Sequence, residues 1–185
     1  MGDPLCIETT EPALFAERLR QSMRASAISV SLITTRDQDG SFHGMAVTSA
    51  NSLSFEPPSM MVAINRNASS HAVLLRSRAF CLNQIHSDQM DMLDLFCRSE
   101  MRDARFASPE WQSGLHGLPW LRTAIASLFC RVEETHDYGS HTVFFGRIED
   151  IRISSRIDSP DPLIWINGAP AQFEMAQGAR QRAAY

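Results

Sequence analysis

No stretch of the chain approaches the ~18 apolar residues that a membrane-spanning helix requires. None of the four cysteines, Cys6, Cys81, Cys97 and Cys130, forms a C-x-x-C, and the six histidines form no H-E-x-x-H. Three of those cysteines sit in apolar surroundings and read as buried reduced thiols rather than as disulfides or zinc ligands, so no metal is expected. There is no run of five like charges. The net charge of -4 and pI near 5.8 argue against a nucleic-acid protein, which would present a basic face. G-x-G-x-x-G is absent, which disfavours a dinucleotide fold of the doubly wound kind. No nucleophile triad or paired-carboxylate motif stands out. The first residues lack a basic region followed by an apolar one, and Cys6 stands where a myristoylation signal needs Ser or Thr, so a cytoplasmic protein is expected. With no repeat, low-complexity segment or Pro/Gly/Ser-rich linker, the 185 residues are read as one domain.

What is present is a succession of short strands. Residues 11–25 predict a helix capped by Thr10, with Pro12 in its first turn and Leu14, Phe15, Leu19 and Met23 on one face. "AISVSLITT" predicts a strand, and Asp39-Gly40 a hairpin turn into a second strand over about 42–49. A strand near 53–55 stops at "EPPS", since proline donates nothing to a ladder. "SMMVAIN" predicts a buried strand and "SSHAVLLRS" a short helix capped by Ser69 or Ser70. "AFCLNQI" is a further strand, and Ser87 to Arg98 a second short helix capped at Ser87. Residues 99–120 read as a long loop. Two long strands follow around a Tyr138-Gly139-Ser140 turn, and "PLIWIN" is the last strand. The tail from Gln172 is expected to fray or to pack on a partner. Strands that do not alternate with long helices predict a mainly antiparallel β-barrel with peripheral helices.

Two segments are candidate phosphate cradles. In "TSANS", Thr48 to Ser52, polar side chains and small residues at a strand corner can converge on an anion; spacing alone favours an ordinary turn. In "NRNASSHAVL", Arg66 supplies a cation, and Ser69 and Ser70 open a helix whose first amides lack partners. An ordinary N-cap beside a solvated arginine is the commoner meaning of that pattern. Both segments flank the strand Met60 to Ile64, so a flat ligand lying on that strand reaches both. His71, beside the serines, reads as a phosphate contact or a first-turn residue. His141 follows a tight turn, as an edge residue or as a contact to a second ligand.

The stretch "GMAVTSANSLSFEPPSMMVAINRNASSHAVLLRSRAFCLNQI", continued by "ARFASPEW", "GLPWLRTAIASLFCRVEE", "DYGSHTVFFGRIEDI" and "PLIWING", resembles the flavin reductase-like family over about residues 15–173. These are small FMN-binding split-barrel reductases that include the reductase components of two-component monooxygenases. The resemblance implies a six-stranded antiparallel split β-barrel of Greek-key type with short peripheral helices. It implies a homodimer with FMN or FAD near the interface, NADH or NADPH as co-substrate, and a partner oxygenase that receives reduced flavin. It places Thr48, Ser49, Ala50, Asn51 and Ser54, with Asn65, Arg66, Ser69 and Ser70, around the flavin ring edge, ribityl chain and phosphate. Arg105 and Phe106 match a basic-aromatic pair beside the flavin. His141, with Ser140, matches the family's Gly-Asp-His motif for the nicotinamide nucleotide; here the motif reads Gly139-Ser140-His141.

The function so implied is an NAD(P)H:flavin oxidoreductase, in which no side chain is an obligatory acid, base or nucleophile. One alternative is a flavin-retaining reductase of a dedicated acceptor, such as a corrinoid. The other is a non-enzymatic flavin- or heme-binding protein on the same barrel.

Overall fold

The structure, a computed structural model, describes residues 12–172. Thr10, Cys6 and nearly all of the C-terminal tail lie outside the described residues. The first helix, α1 (Pro12–Arg24), is followed by β1 (Ile28–Ser29), β2 (Ser31–Arg36), β3 (Phe42–Val47), β4 (Asn51–Phe55), β5 (Pro58–Asn65), α2 (His71–Ser77), β6 (Ala79–Gln84) and α3 (Met90–Cys97). The second half holds β7 (Trp111–Ser113), β8 (Pro119–Leu121), β9 (Ala126–Tyr138), β10 (His141–Ile153), β11 (Ile164–Ile166) and β12 (Ala169–Ala171).

Seven strands form one antiparallel sheet in the order β3-β2-β6-β9-β10-β5-β4, with β1-β11-β12 and β7-β8 as small additions. The mainly β, antiparallel class is the expected one, with one more strand in the main sheet than the six expected. The span 99–120, expected as a loop, holds a 3-10 turn (Ser99–Ala104) and the short hairpin β7-β8, too brief for a periodicity to register. α3 starts at Met90 rather than Ser87, because the Ser87 hydroxyl bonds the Asp161 carboxylate instead of capping the helix.

The long β9-β10 hairpin divides the sheet. β9 pairs with β6 over Ala126–Arg131, whereas β10 pairs with β5 over His141–Arg147. Register shifts at Phe145/Gly146 and Ile148/Asp150 bend the hairpin between those two unions. Gly146 sits at the first of them, where a Cβ would come within 2.6 Å of the Phe80 ring, so only glycine admits that ring. Phe80, Phe144, Leu82, Ile64 and Cys130 fill the main core; Val30, Leu32, Ile85, Phe96 and Leu163 fill a second.

Buried polar groups in the sheet are paired. Asn83, fully buried, donates to Leu32 O (3.1 Å) and accepts from Leu121 N and Ser127 Oγ (both 2.8 Å), tying β2, β8 and β9 to β6. α1 is different: none of its residues is buried, and Leu14, Phe15, Leu19 and Met23 all remain exposed.

Candidate functional site

The chain leaves β3 at Val47, turns through Thr48–Ala50 and returns as β4, which lies on β5 with Asn51 opposite Met61. Ser49 fixes the corner by donating its hydroxyl to Ala63 O at 2.7 Å. Along β5, Met60, Val62 and Ile64 are buried, while Met61, Ala63 and Asn65 are half-buried. That half-open face is a floor with the Thr48–Asn51 corner at one side. Ser54 stands farther off, in the β4-β5 hairpin, where its hydroxyl accepts from Glu56 N at 3.0 Å.

Beyond Asn65 the backbone folds on itself. Asn65 Oδ1 accepts from Asn67 N and Asn65 O from Ala68 N, both at 2.9 Å. Ser70 occupies the N-cap of α2 without a side-chain cap bond, its backbone being helical (φ -80°, ψ -14°) rather than extended. Ser70 is 3% exposed and Ser69 is exposed. Among the described residues, the N–H groups of Ser69 and Ser70 have no hydrogen-bond partner. Two unpaired amides with two hydroxyls are the donor set that a phosphate group satisfies.

The β9-β10 turn meets this segment across the sheet. His141 pairs with Asn65, and Arg66 N donates to Ser140 O at 2.9 Å. The Arg66 guanidinium donates to Gly139 O and approaches Asp137 Oδ2 at 3.9 Å. Arg66 therefore braces the turn, and its side chain remains half exposed. Ser140 Oγ lies 2.9 Å from His141 Nδ1, which leaves Nε2 outward on an exposed ring.

The fold thus brings Thr48, Ser49, Ala50, Asn51, Asn65, Arg66, Ser69, Ser70, Ser140 and His141 around the strands β4, β5 and β10. Arg105 and Phe106 are placed otherwise. Arg105, 7% exposed, donates to Leu95 O (2.9 Å), Gly44 O (2.9 Å) and Arg98 O (3.0 Å), and its guanidinium lies 5.5 Å from the Phe96 ring. Burial pulls it below the ordinary arginine value, and all its hydrogen bonds go to backbone. Phe106 packs edge-on against Phe96, Phe42 and Trp111.

Two features of the region carry no local sequence signal. One is an apolar groove of about 270 Å3 beside Thr48, lined by Val30, Val47, Leu93, Cys97 and Trp165 among others, which only the fold assembles. The other is a relay from Asp137 through Thr142 to buried His71 (2.5 and 2.8 Å). Among the described residues, no group of three or more His, Cys, Asp or Glu is placed to hold a metal ion, and no helix is long and apolar enough to cross a membrane.

The fold is a divided antiparallel sheet, with a polar corner and a serine-lined turn at one end and a histidine-bearing hairpin beside them. Residues 23–174 match the Flavin reductase like domain, and the chain belongs to that family. It is 34% identical over 140 residues to the FMN reductase (NADH) RutF of Pseudomonas syringae pv. syringae (strain B728a), covering 76% of this chain and 78% of that protein. It is 35% identical over 159 residues to the reductase component of the FADH(2)-dependent resorcinol hydroxylase of Rhizobium sp. (strain MTP-10005), covering 84% and 86%. Among solved structures it superposes on BorF, the flavin reductase component of a bacterial two-component tryptophan halogenase. That match has a TM-score of 0.77 and 26% identity, over 87% of this chain and 99% of that one.

Proposed function

We propose that the protein is an NAD(P)H:flavin oxidoreductase that moves a hydride from NADH or NADPH to FMN or FAD and supplies reduced flavin to a partner monooxygenase. One observation carries this reading above the others. The unpaired amides of Ser69 and Ser70 follow the end of β5 where Asn65 pairs with exposed His141 and Arg66 N bonds Ser140 O. When bound, the flavin supplies the hydride-accepting ring, and the protein supplies binding and orientation.

Each residue then has a task. Ser69, Ser70 and the free edge of Arg66 hold the phosphate, with Asn65 beside the ribityl chain. Thr48, Ser49, Ala50 and Asn51 border the ring edge over the Met61–Ala63 floor, and Ser54 shapes the hairpin that carries them. Ser140 orients His141 toward the nicotinamide nucleotide. Arg105 and Phe106 act from behind, holding α3 and the following turn against β3.

The relative that is a hydroxylase reductase component and the likeness to a halogenase reductase component support a partner that consumes reduced flavin. A homodimer is part of the proposal. The uncovered apolar face of α1, together with Phe55 at 91% exposure, is surface that a second copy would bury. A pyridine nucleotide as co-substrate agrees with a cytoplasmic setting.

The test is NADH and NADPH oxidation by the purified protein with and without FMN or FAD. Stimulation by at least one flavin is expected; none by either overturns the reading. Replacing Ser69 and Ser70 together by alanine should weaken flavin binding about tenfold, about 1.4 kcal/mol. An unchanged dissociation constant removes the phosphate assignment while leaving the activity untouched.

A further inference from the structure

A separate, polar cavity of about 380 Å3 lies at the far end of α2 from Ser70. The helix between them has seven residues, about 10 Å at 1.5 Å per residue, so the two places are separate. Arg36 enters the cavity from the end of β2, Asp37 from the turn after it, Arg76 from the last turn of α2, and His116 and Arg131 from the opposite wall. Buried Leu118 forms part of its floor.

The seat of Arg36 is built into the backbone. Gly40 (φ +90°) and Gly117 (φ +70°) both adopt conformations that favour glycine, and both face the Arg36 guanidinium. A Cβ at Gly117 would stand 2.7 Å from Arg36 Nη1, and one at Gly40 would stand 3.2 Å from Nη2. The guanidinium rests against two bare turns. Its Nε reaches Gly40 O at 3.5 Å, and among the described residues Nη1 and Nη2 have no hydrogen-bond partner and no carboxylate within ion-pair distance. Its neighbours are paired: Arg76 with Asp37 at 2.6 Å, and Arg131 with Glu149 at 2.8 Å.

The charges therefore leave one cation uncompensated in the lining of a concave surface, in a chain whose net charge is -4. All 17 basic residues of the chain are arginines, whose planar fork matches phosphate and carboxylate oxygens in pairs. The volume is at the small end of the range for small-molecule sites, about 300–1,000 Å3.

We propose that this cavity is an anion site for a small phosphate-bearing molecule, with unpaired Arg36 as the principal donor and the paired Arg76 and Arg131 as supporting donors. It is independent of the flavin assignment and uses none of its residues. The bound anion would take the free Nη edge of Arg36 and share the outer N–H groups of the two paired arginines.

The test is calorimetric titration of the full chain, saturated with FMN, using inorganic phosphate and pyrophosphate as probes at fixed ionic strength. Three proteins are compared: wild type, Arg36→Gln, and the Ser69→Ala/Ser70→Ala double variant. Saturable pyrophosphate binding is expected in wild type and in the double variant, weakened at least about tenfold in Arg36→Gln. Phosphate alone is expected to bind more weakly than pyrophosphate, since it engages fewer of the guanidinium edges. Arg36 is exposed, so its variant should fold and oxidise NADH as wild type does. No saturable binding in wild type overturns the proposal. So does equal binding by Arg36→Gln, and so does loss confined to the double serine variant, which would place the anion in the other cradle.

Discussion

Thr142 Oγ1 lies 2.8 Å from His71 Nε2, and its hydroxyl donates to Asp137 Oδ1 at 2.5 Å. A hydroxyl has one proton, and this one is given to the carboxylate. His71 must then be the donor to Thr142, with its proton on Nε2. An exposed aspartate on the hairpin thus fixes the tautomer of a buried histidine in the first turn of α2, immediately after Ser70. Replacing Thr142 by valine keeps the shape and removes the acceptor, leaving a buried N–H unpaired at a cost of about 1–3 kcal/mol. The expected result is a lower urea midpoint for Thr142→Val, restored by Thr142→Ser. Equal midpoints for wild type and the valine variant would dissolve the relay. Because α2 starts at this point, flavin affinity should fall in parallel.

Arg105 offers a different separation. Its three carbonyl partners lie on β3, α3 and the residue after α3, so the side chain joins three pieces of backbone. Arg105→Ala removes three charge-assisted bonds and strands the Leu95 and Gly44 carbonyls, while Arg98 O keeps its bond from Met101 N, a loss of about 3 kcal/mol. Arg105→Lys should recover little, since an ammonium does not reproduce the fork. If Arg105 instead touched flavin directly, the variant would lose flavin affinity with unfolding unchanged, and the positioning role assigned here would fall.

Much of this was legible in the chain because local signals and tertiary needs agreed. Asp39-Gly40 marked a turn, "MMVAIN" a strand, and the serine pair a helix start. The β7-β8 hairpin was not legible, since three-residue strands leave no period to read. Nor was the packing of Arg105: the resemblance set it in a pair beside the flavin, and only the fold shows its guanidinium enclosed by Phe96 and three carbonyls. Ser87 looked like a cap until Asp161, 74 residues away, took its hydroxyl. The Arg36 seat depends on Gly40 and Gly117, far apart in sequence, each of which alone reads as an ordinary turn. The split of the sheet rests on Gly146, whose reason is the Phe80 ring on another strand.

The Glu149 carboxyl gives a pH signature. Hydrogen bonds from His116 and Arg131 hold it below its ordinary value near 4.5. The folded protein therefore binds fewer protons here than the unfolded chain. The stabilisation is present above about pH 4.5 and is lost as pH falls through the depressed folded value. Glu149→Gln lacks this titration. Its melting temperature should lie below that of wild type at neutral pH, and the gap should close on acidification. A gap that stays constant would mean that the carboxylate is not coupled to folding.

Thiol reactivity reads the apolar groove directly. Burial raises the Cys81 thiol well above its usual range and pushes Cys130 up to about 12, so neither forms thiolate near neutrality. Cys97 is exposed and lines the groove with Thr48, and its thiol is raised too, by partial burial and then by Asp94. Peptide mapping after iodoacetamide treatment should show Cys97 modified more slowly than a free thiol yet well ahead of Cys81 and Cys130. Saturating FMN should slow that modification if the flavin ring lies against the corner that begins at Thr48. Early labelling of Cys81 or Cys130 would contradict the packing of β6 and β9. Labelling of Cys97 at the same rate with and without a flavin known to bind would move the ring away from Thr48, leaving the serine cradle as the only part of the flavin site still supported.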